Sequence, residues 1–272
     1  MADERERWAL ILGASSGFGE AAALALAEDG YHIAGVHLDR RAGMAHVDEI
    51  RARIESFGRE AHFFNVNAAD DEQRGHVLAA LRERFDRGEA GGRHSYVRVL
   101  MHSLAFGTLK PFLAPDAAEA INRKNMEMTL DVMAHSLVYW TQDLVRGGFI
   151  EAGSRIYAMT SEGSTRVVGS YGAVSAAKSA LESHCRQLAM ELGRRGIGAT
   201  CNAIRAGVTM THALLQIPER DELVDVARRR NPSGRMTTTE DVARAIVSLS
   251  REGTEWMTGN VLGIDGGEFV TG

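Results

Sequence analysis

Two side chains with complementary chemistry stand close together in the stretch "SYGAVSAAKSA", residues 170–180. Tyr171 carries a phenol that can donate a proton, and Lys178 carries a cation that can stabilise negative charge. On a helix, residues seven apart share one face and lie about 10 Å apart along the axis. Val174, four residues before the lysine, has no proton to donate. The spacing predicts a catalytic pair that points into one cleft; the alternative is a packed tyrosine at the helix start and a solvated lysine.

The motif "GASSGFG" lies between a short apolar run and a helix-length segment. Gly13, Gly17 and Gly19 would let the backbone approach a pyrophosphate, and the helix N-terminus behind them attracts negative charge. A tight structural turn between strand and helix is the alternative. Because a strand is expected before the motif and a helix after it, we predict dinucleotide binding.

Short apolar runs alternate with helix-length segments along the whole chain, which is typical of a parallel sheet covered by helices on both faces. No internal repeat or break in composition indicates a second domain. We therefore predict one α/β domain over residues 1–272, a doubly wound Rossmann-type fold with a mostly seven-stranded parallel sheet. The predicted strands are 8–13, 31–38, 61–66, 96–103, 154–161, 197–204 and 260–265; the predicted helices include 19–30, 41–57, 70–85, 116–146 and one that holds Tyr171 and Lys178, with a loop at 88–95.

Composition argues against several classes of partner. The formal net charge of -5 does not suit binding to nucleic acid or to an anionic membrane. The charged start "MADERERW" is followed by no apolar signal segment, and the run "AAALALA" is too short to span a bilayer. Cys185 and Cys201 are expected to be free thiols, and the histidines show no paired ligand spacing. We expect a cytoplasmic protein without a metal site.

Several motifs occur in the order found in one enzyme family. The spacing G-x3-G-x-G, the "NV" after the third strand and "TGNVLGIDGG" near the end of the chain resemble the short-chain dehydrogenase/reductase family, over roughly residues 8–267. Leu12 departs from the threonine or serine usual before the first glycine. The resemblance implies a nicotinamide cofactor. In the first half of the site it places these residues at the cofactor: Gly13, Ser15, Ser16, Gly17, Phe18, Gly19, Asn65 and Val66.

The residues after the second strand bear on the choice between NADH and NADPH. His37 occupies the position at which the family usually carries an acidic residue that binds the ribose. Asp39 could bind the ribose 2′-hydroxyl and favour NADH. Arg40 and Arg41 could hold a 2′-phosphate, or could be solvated residues that open a helix. We predict NADPH, with NADH as the alternative, and assign His37 and Arg40 to the cofactor site.

The Tyr-x6-Lys spacing resembles the enoyl-acyl-carrier-protein reductases, a branch of the same family; its carbonyl reductases place the tyrosine four residues before the lysine. "MHSLAFG" after the fourth strand and "NAIRAG" after the sixth resemble the same branch. Ser161 stands where some members of the branch keep a serine, and it could bind substrate or simply end the fifth strand. Asp131 replaces an asparagine that holds a proton-relay water in ordinary members, so we expect that relay to be absent. The resemblance makes Tyr171, Lys178 and Ser161 catalytic candidates and adds Ser103, Leu104, Lys178, Gly207 and Val208 to the cofactor site.

The resemblance implies NADPH-dependent reduction of the carbon–carbon double bond of an enoyl thioester in fatty acid synthesis. Residues 208–230 resemble a lid that closes over an acyl chain carried by acyl carrier protein or CoA. The basic run 228–230 would contact that carrier, or be a solvated helix end. Family members usually form tetramers, so a homotetramer is expected.

Two other functions stay open. One is a carbonyl, 3-oxoacyl or hydroxysteroid-type reductase whose acid has moved, against which Val174 argues. The other is a non-catalytic sensor or scaffold that binds a dinucleotide. The presence of both Tyr171 and Lys178 argues against that function.

Overall fold

Seven parallel strands form one sheet in the order β3-β2-β1-β4-β5-β6-β7. The computed structural model describes residues 5–271. The chain leaves β1 toward one edge and returns to β4 beside β1, so the carboxyl ends of β1 and β4 frame a crevice where ligands bind in such sheets. The predicted Rossmann-type fold is confirmed. The strands are β1 Glu6–Leu12, β2 His32–His37, β3 Ala61–Asn65, β4 Ser95–His102, β5 Arg155–Thr160, β6 Thr200–Ala206 and β7 Val261–Ile264.

Nine α-helices connect the strands within residues 5–271, and several begin at residues that cap them. Asp70 accepts the Gln73 N–H at the start of the third helix, and Thr238 forms a capping box with Asp241 at the start of the ninth. The helices are α1 Gly17–Glu28, α2 Met44–Ser56, α3 Asp71–Ala90, α4 Arg123–Leu130, α5 Ser136–Arg146, α6 Gly172–Arg194, α7 His212–Leu215, α8 Arg220–Arg230 and α9 Thr239–Leu249.

Apolar side chains of the central strands alternate between two cores, one on each face of the sheet. Leu12 joins Trp140 of α5 and Leu181 of α6 on one face. Ile11 packs with Ile246 of α9 on the other. Because both faces are buried, the sheet offers its carboxyl edge as the place where loops can build a site.

The helix predicted over residues 116–146 is wrong at its start, and its middle is π-helical instead of α-helical. Asn122 accepts the Asn125 N–H as an N-cap, so the helical run begins only at Arg123. A π-helical segment, Asp131–His135, joins α4 directly to α5. Such segments often mark functional positions in helices.

Differences from the prediction also occur at the end of α3 and at the start of β6. Helix α3 continues through Ala90, into the stretch predicted as a loop at 88–95. Strand β6 begins at Thr200 rather than at residue 197. Gly196 and Gly198 have φ angles of 67° and 73°, which place them in a turn before the strand.

Cys185 and Cys201 are both buried and form no disulfide, as expected for free thiols. Over residues 5–271, no helix combines the length and the apolar character needed to cross a bilayer. The same residues contain no group of three His, Cys, Asp or Glu side chains placed to hold a metal ion.

Candidate active site

The turn between β1 and α1 has a backbone that favours glycine. Gly13 and Gly17 have φ angles of 90° and 57°, in the left-handed region. A Cβ on Gly19 would lie 2.0 Å from the Gly13 carbonyl oxygen. Ser16, the exposed N-cap of α1, makes no side-chain cap hydrogen bond, which leaves the first N–H groups of the helix for phosphate oxygens. The turn fits the pyrophosphate of a dinucleotide. Its other predicted residues are half-buried: Ser15 and Phe18.

A polar network closes the carboxyl ends of β2 and β3. Asn65 accepts the Asp39 N–H at 3.0 Å and donates to the Asp39 carbonyl oxygen at 2.9 Å. The His37 Nδ1 lies 2.8 Å from an Asp39 carboxylate oxygen. The side chain of His37 is 1% exposed and that of Asp39 is 29% exposed. The His37 ring faces inward toward Phe63, and the carboxylate that solvent reaches belongs to Asp39. Contact between His37 and a cofactor stays a prediction.

Arg40 and Arg41 follow this network and are both exposed. Within residues 5–271, neither guanidinium makes a hydrogen bond or an ion pair, so both are available to a phosphate. Val66, the other residue predicted after β3, is half-buried, and its N–H donates to the His37 carbonyl oxygen at 2.8 Å.

Tyr171 lies just before α6 rather than within it. It occupies the N-cap position of that helix, with φ of -95° and ψ of 1°. The preceding residue, Ser170, is the one non-glycine residue in 5–271 with a positive φ, 54°. Such conformations cost about 1–3 kcal/mol and cluster at active sites. The backbone turns sharply at Ser170, and the Tyr171 carbonyl oxygen then accepts the Ser175 N–H at 2.8 Å as the first hydrogen bond of the helix. That Tyr171 and Lys178 share one face stays a prediction.

The Tyr171 ring packs against the turn that follows β5. A Cβ on Gly163 would lie 2.6 Å from that ring, so the contact depends on a residue without a side chain. The Tyr171 hydroxyl oxygen lies 3.4 Å from Ser161 Oγ, which brings two predicted catalytic side chains together. Burial raises the pKa of the Tyr171 phenol, and the Ser161 hydrogen bond acts in the opposite direction. The phenol is thus a proton donor at neutral pH.

The Lys178 ammonium is buried, so the alternative of a solvated lysine is wrong. Its side chain is held by backbone oxygens: Nζ donates to Met159 O at 2.7 Å and to Leu104 O at 3.4 Å. Burial lowers the pKa of the Lys178 ammonium to about 8, while the charge of Glu182 acts in the opposite direction. At neutral pH, Lys178 is therefore protonated in most molecules, and its charge is poorly screened in this buried site.

Val174 closes the position four residues before Lys178. It is 4% exposed, and a Cβ on Gly107 would lie 2.8 Å from its Cγ2. The space that a tyrosine would need at this position is filled by the core between α6 and the loop after β4.

The segment after β4 connects the glycine turn with the lysine. The Ser103 N–H donates to the Leu12 carbonyl oxygen at 2.8 Å, and a Cβ on Gly13 would lie 2.5 Å from Ser103 O. Leu104 O accepts the longer of the two hydrogen bonds that the Lys178 ammonium donates. The two predicted cofactor residues Ser103 and Leu104 thus lie between the turn and the lysine.

His102, the last residue of β4, received no role from the sequence. It is fully buried, and its Nε2 lies 2.8 Å from Ser136 Oγ at the start of α5. Burial, followed by the charge of Lys178, lowers the pKa of His102 to about 3. The ring is therefore neutral. Its place in "MHSLAFG" was the one signal that could have drawn attention to it.

The segment predicted as a lid, 208–230, contains α7 and α8 and contacts both halves of the site. The Thr211 side chain lies 3.5 Å from where a Cβ on Gly17 would be, beside the glycine turn. The Glu219 carboxylate lies 2.6 Å from the corresponding position on Gly169, in the loop that leads to Tyr171. The segment thus contacts the glycine turn through Thr211 and the loop before Tyr171 through Glu219.

The basic run at the end of α8 divides into exposed and buried members. Arg228 and Arg229 are exposed. The Arg230 side chain is 12% exposed, and its Nη1 lies 3.4 Å from Glu162 Oε2, next to Ser161. Arg230 therefore anchors the lid instead of extending the exposed basic surface.

The predicted residues Gly207 and Val208 lie where the chain enters the lid. A Cβ on Gly207 would lie 2.3 Å from Thr237 Oγ1. The Val208 N–H donates at 3.2 Å to the carboxylate of Glu268, a buried group whose pKa is raised by burial. The prediction missed Glu268, because nothing local marks a buried carboxylate after "DGG".

Exposed apolar side chains lie on the segments that flank Tyr171. The Phe112 ring covers Gly172, where a Cβ would lie 2.5 Å from it. Others stand on the loop after β4, on the loop before Tyr171 and on the lid: Phe106, Leu113, Val167 and Met210. This arrangement suits a substrate with an apolar part that approaches the tyrosine from solvent.

A doubly wound sheet with a glycine turn after its first strand, and a buried lysine near a tyrosine at its carboxyl edge, defines a dinucleotide-dependent oxidoreductase class. The chain belongs to the short-chain dehydrogenase/reductase family. A family model described as "Enoyl-(Acyl carrier protein) reductase" matches residues 13–268.

Individual relatives include more than one activity. The chain is 28% identical over 230 residues to an enoyl-acyl-carrier-protein reductase (NADH) of Neisseria meningitidis, covering 82% of each protein. It is 27% identical over 271 residues to a chloroplastic NADPH-dependent aldehyde reductase-like protein of Arabidopsis thaliana, covering 96% of this chain and 93% of that protein. The solved enoyl-acyl-carrier-protein reductase (NADH) of Aquifex aeolicus matches with a TM-score of 0.82 and 24% identity over 99% of both chains, which shows the same fold.

Proposed function

We propose that this protein reduces the carbon–carbon double bond of an enoyl thioester with NADPH. The observation that carries the proposal is the separation of acid and cation. Tyr171 is the N-cap of α6, seven residues before Lys178, while the position four residues before Lys178 is filled by the buried Val174. A carbonyl reductase needs its acid beside the carbon that receives hydride.

The chemistry of an enoyl thioester matches a displaced acid. Hydride adds to the β-carbon of the substrate, and the negative charge that develops collects on the thioester oxygen, two carbons away. A donor that stands apart from the hydride position stabilises that charge without blocking the β-carbon. When bound, the reduced nicotinamide supplies the hydride.

Each of the three polar residues has a proposed role. Tyr171 donates a hydrogen bond to the thioester oxygen, and that bond strengthens as charge develops. Ser161, 3.4 Å from the phenol, orients it or binds the same oxygen. Lys178 binds the nicotinamide ribose, using the N–H that now makes the long contact with Leu104 O, and its charge stabilises the enolate.

We propose NADPH as the cofactor because Arg40 and Arg41 are exposed and unpaired within residues 5–271. The carboxylate of Asp39 is the group that favours NADH, through the ribose 2′-hydroxyl. Relatives named for each cofactor are both found. Replacing Arg40 and Arg41 by alanine should weaken NADPH binding and leave NADH binding unchanged.

We also propose that the acyl group is carried by acyl carrier protein or CoA and enters beneath the lid at 208–230. The apolar side chains that flank Tyr171 support an acyl substrate. A homotetramer and a cytoplasmic location remain proposals that follow from the family. Arg228 and Arg229 are the exposed cations available to the carrier or to a CoA phosphate.

Carbonyl reduction is the competing function, and one observation favours it. Ser161 and Tyr171 place two hydroxyl groups 3.4 Å apart, and such a pair could polarise one carbonyl oxygen. The aldehyde reductase-like relative fits the same chemistry.

Oxidation of NADPH with crotonyl-CoA, a longer enoyl-CoA and a β-keto thioester separates these functions. We expect loss of the reduced-nicotinamide absorbance with the enoyl substrates alone. Parallel assays with NADH test the cofactor. Turnover of the keto substrate alone would make the protein a carbonyl reductase, and NADPH binding without any turnover would indicate a sensor or scaffold.

A further inference from the structure

The His102 ring has one nitrogen with an assigned partner and one without. Ser136 Oγ donates its single proton to Val132 O at 2.8 Å, so it must accept the hydrogen bond from His102 Nε2. The proton of the neutral ring therefore sits on Nε2. His102 Nδ1 is left as a fully buried acceptor with no hydrogen-bond partner among the described residues. An orphaned buried acceptor costs about 1–3 kcal/mol.

The Lys178 ammonium is held by backbone carbonyl oxygens that belong to neighbours of His102. The acceptors are the carbonyl oxygens of Met159 and Leu104. Met159 follows Ala158, which pairs with His102 between β5 and β4. Leu104 comes two residues after His102. The two carbonyl oxygens that hold the ammonium thus bracket the histidine, and the third N–H of Lys178 has no acceptor in residues 5–271.

The two groups also lie on the same face of the sheet. The His102 ring reaches Ser136 at the start of α5. Lys178 lies on α6, whose neighbouring residues Ala177 and Leu181 join the core that contains α5. One buried group thus lacks a donor and the other has a donor to spare, on one side of the sheet.

We propose that a buried water bridges His102 Nδ1 and the Lys178 ammonium, which makes His102 a positioning residue for the lysine. The water donates to Nδ1 and accepts the third N–H of Lys178, so both unmatched atoms gain a partner. The inference rests on the proposed function, in which Lys178 binds the cofactor ribose. The water holds the ammonium in place and leaves its contact with Leu104 O to be exchanged for the ribose.

The neutral state of His102 suits this role. A second positive charge beside Lys178 would repel the ammonium, whereas the lone pair of a neutral ring attracts a water hydrogen. The other titratable groups that act on this pair are Glu182 and His184 on α6. His184 is hydrogen-bonded to His135 of the π-helical segment at 3.0 Å.

The chain contains three lysines, Lys110, Lys124 and Lys178, so their side chains can be followed directly by NMR after selective lysine labelling. A Lys178→Met sample assigns the resonance, and the other two lysines serve as internal references. We expect Lys178 to titrate near pH 8 in the unaltered protein. His102→Leu removes the acceptor, so the titration midpoint of Lys178 should fall by about one pH unit.

Two matched variants separate this role from packing. In His102→Asn, Oδ1 replaces Nδ1 as the acceptor while the bond to Ser136 is lost; the Lys178 midpoint should stay within about 0.3 unit of the unaltered protein. Ser136→Ala removes the hydrogen bond on the far side of the ring and should likewise leave the Lys178 midpoint unchanged. If His102→Leu does not fold, His102→Gln, which keeps a donor for Ser136 but lacks the δ acceptor, takes its place and should lower the midpoint.

Equal shifts in the Asn and Leu variants, or no shift in either, would overturn the proposal. A large shift in Ser136→Ala would show that the ring acts by packing. NADPH affinity measured by fluorescence on the same samples should weaken about fivefold in His102→Leu and little in His102→Asn. Because the NMR titration needs neither cofactor nor turnover, failure of the enoyl reductase assay would leave this test intact.

Discussion

The two edges of the sheet hold their buried charges in opposite ways. At the amino edge, the Arg84 guanidinium is 8% exposed and donates to carboxylates of both Glu6 and Glu60. At the carboxyl edge, Lys178 is 5% exposed, and its hydrogen-bond acceptors are backbone carbonyl oxygens. The first cation is paired with opposite charge, whereas the second is held by neutral dipoles.

The pKa values follow this difference. Hydrogen bonds from Arg84 lower the pKa of Glu60 to about 2. Burial lowers the pKa of Lys178 to about 8, toward the physiological range. A pKa shift caused by an oppositely charged partner stabilises the charged form and the fold. A pKa shift caused by burial destabilises the charged form, and such shifts are common at functional sites. The paired charges at the amino edge thus stabilise the fold, whereas the buried lysine at the carboxyl edge is suited to function.

The largest expected effect is at the carboxyl edge. Tyr171→Phe removes the proposed donor, so turnover of an enoyl thioester should fall about 100- to 1000-fold. The affinity for NADPH should change little, and steady-state kinetics with a separate binding titration measure both. The control is Tyr157→Phe, since that buried hydroxyl bonds Ser250 in the other core. Equal turnover in the two variants would show that Tyr171 is not the donor in the reaction.

At the amino edge, Arg84→Met should lower the free energy of unfolding by about 2 kcal/mol, because the buried Glu6 keeps its charge and loses a cation. Turnover should stay unchanged. Arg87→Met on the same helix breaks only an exposed pair with Glu83 and should change stability by less than about 0.5 kcal/mol. Denaturant unfolding of both variants measures the difference. Equal losses in the free energy of unfolding would contradict a special stabilising role for the buried Arg84.

Lys178→Met should act in the opposite direction and raise the free energy of unfolding at pH 7 by about 1–2 kcal/mol. The folded pKa of about 8 lies below the ordinary value of 10.5, so a buried charge opposes folding below pH 8. Between these values the folded state releases its proton first, and the stability of the unaltered protein rises with pH. The variant should lack that rise, and the exposed Lys124→Met should retain it. A destabilised Lys178→Met at pH 7 would mean that the backbone hydrogen bonds outweigh burial.

The smallest effect is expected for Glu60→Gln. The folded pKa of Glu60, about 2, lies below the ordinary 4.5, so its ionised form stabilises the fold above pH 4.5, and that contribution is lost as the pH falls toward 2. The variant should lose less stability over this range than the unaltered protein. At pH 7 the change should be under about 1 kcal/mol, because the carboxylate is partly hydrated. Acid titrations monitored by circular dichroism test this, with Glu83→Gln as the exposed counterpart.

Much of the fold could be predicted because its signals are local. Alternating apolar runs and helical segments were enough for the parallel sheet and for the glycine turn. The boundaries that failed depend on particular contacts. Asn122 ends the irregular segment before α4 by capping the helix, and the π-helical segment at Asp131–His135 has no pattern in the sequence that predicts it.

At the candidate site, the sequence by itself determined which reactive side chains exist and how far apart they stand along the chain: Tyr171, Lys178 and Ser161, together with the glycine turn. Only the tertiary structure decided that Ser161 meets Tyr171, that His37 faces inward and that His102 lies buried near the lysine. The reason is physical. Residue type and spacing are properties of the chain, whereas desolvation and hydrogen-bond partners come from elements that are distant in sequence and meet only when the sheet and its helices pack.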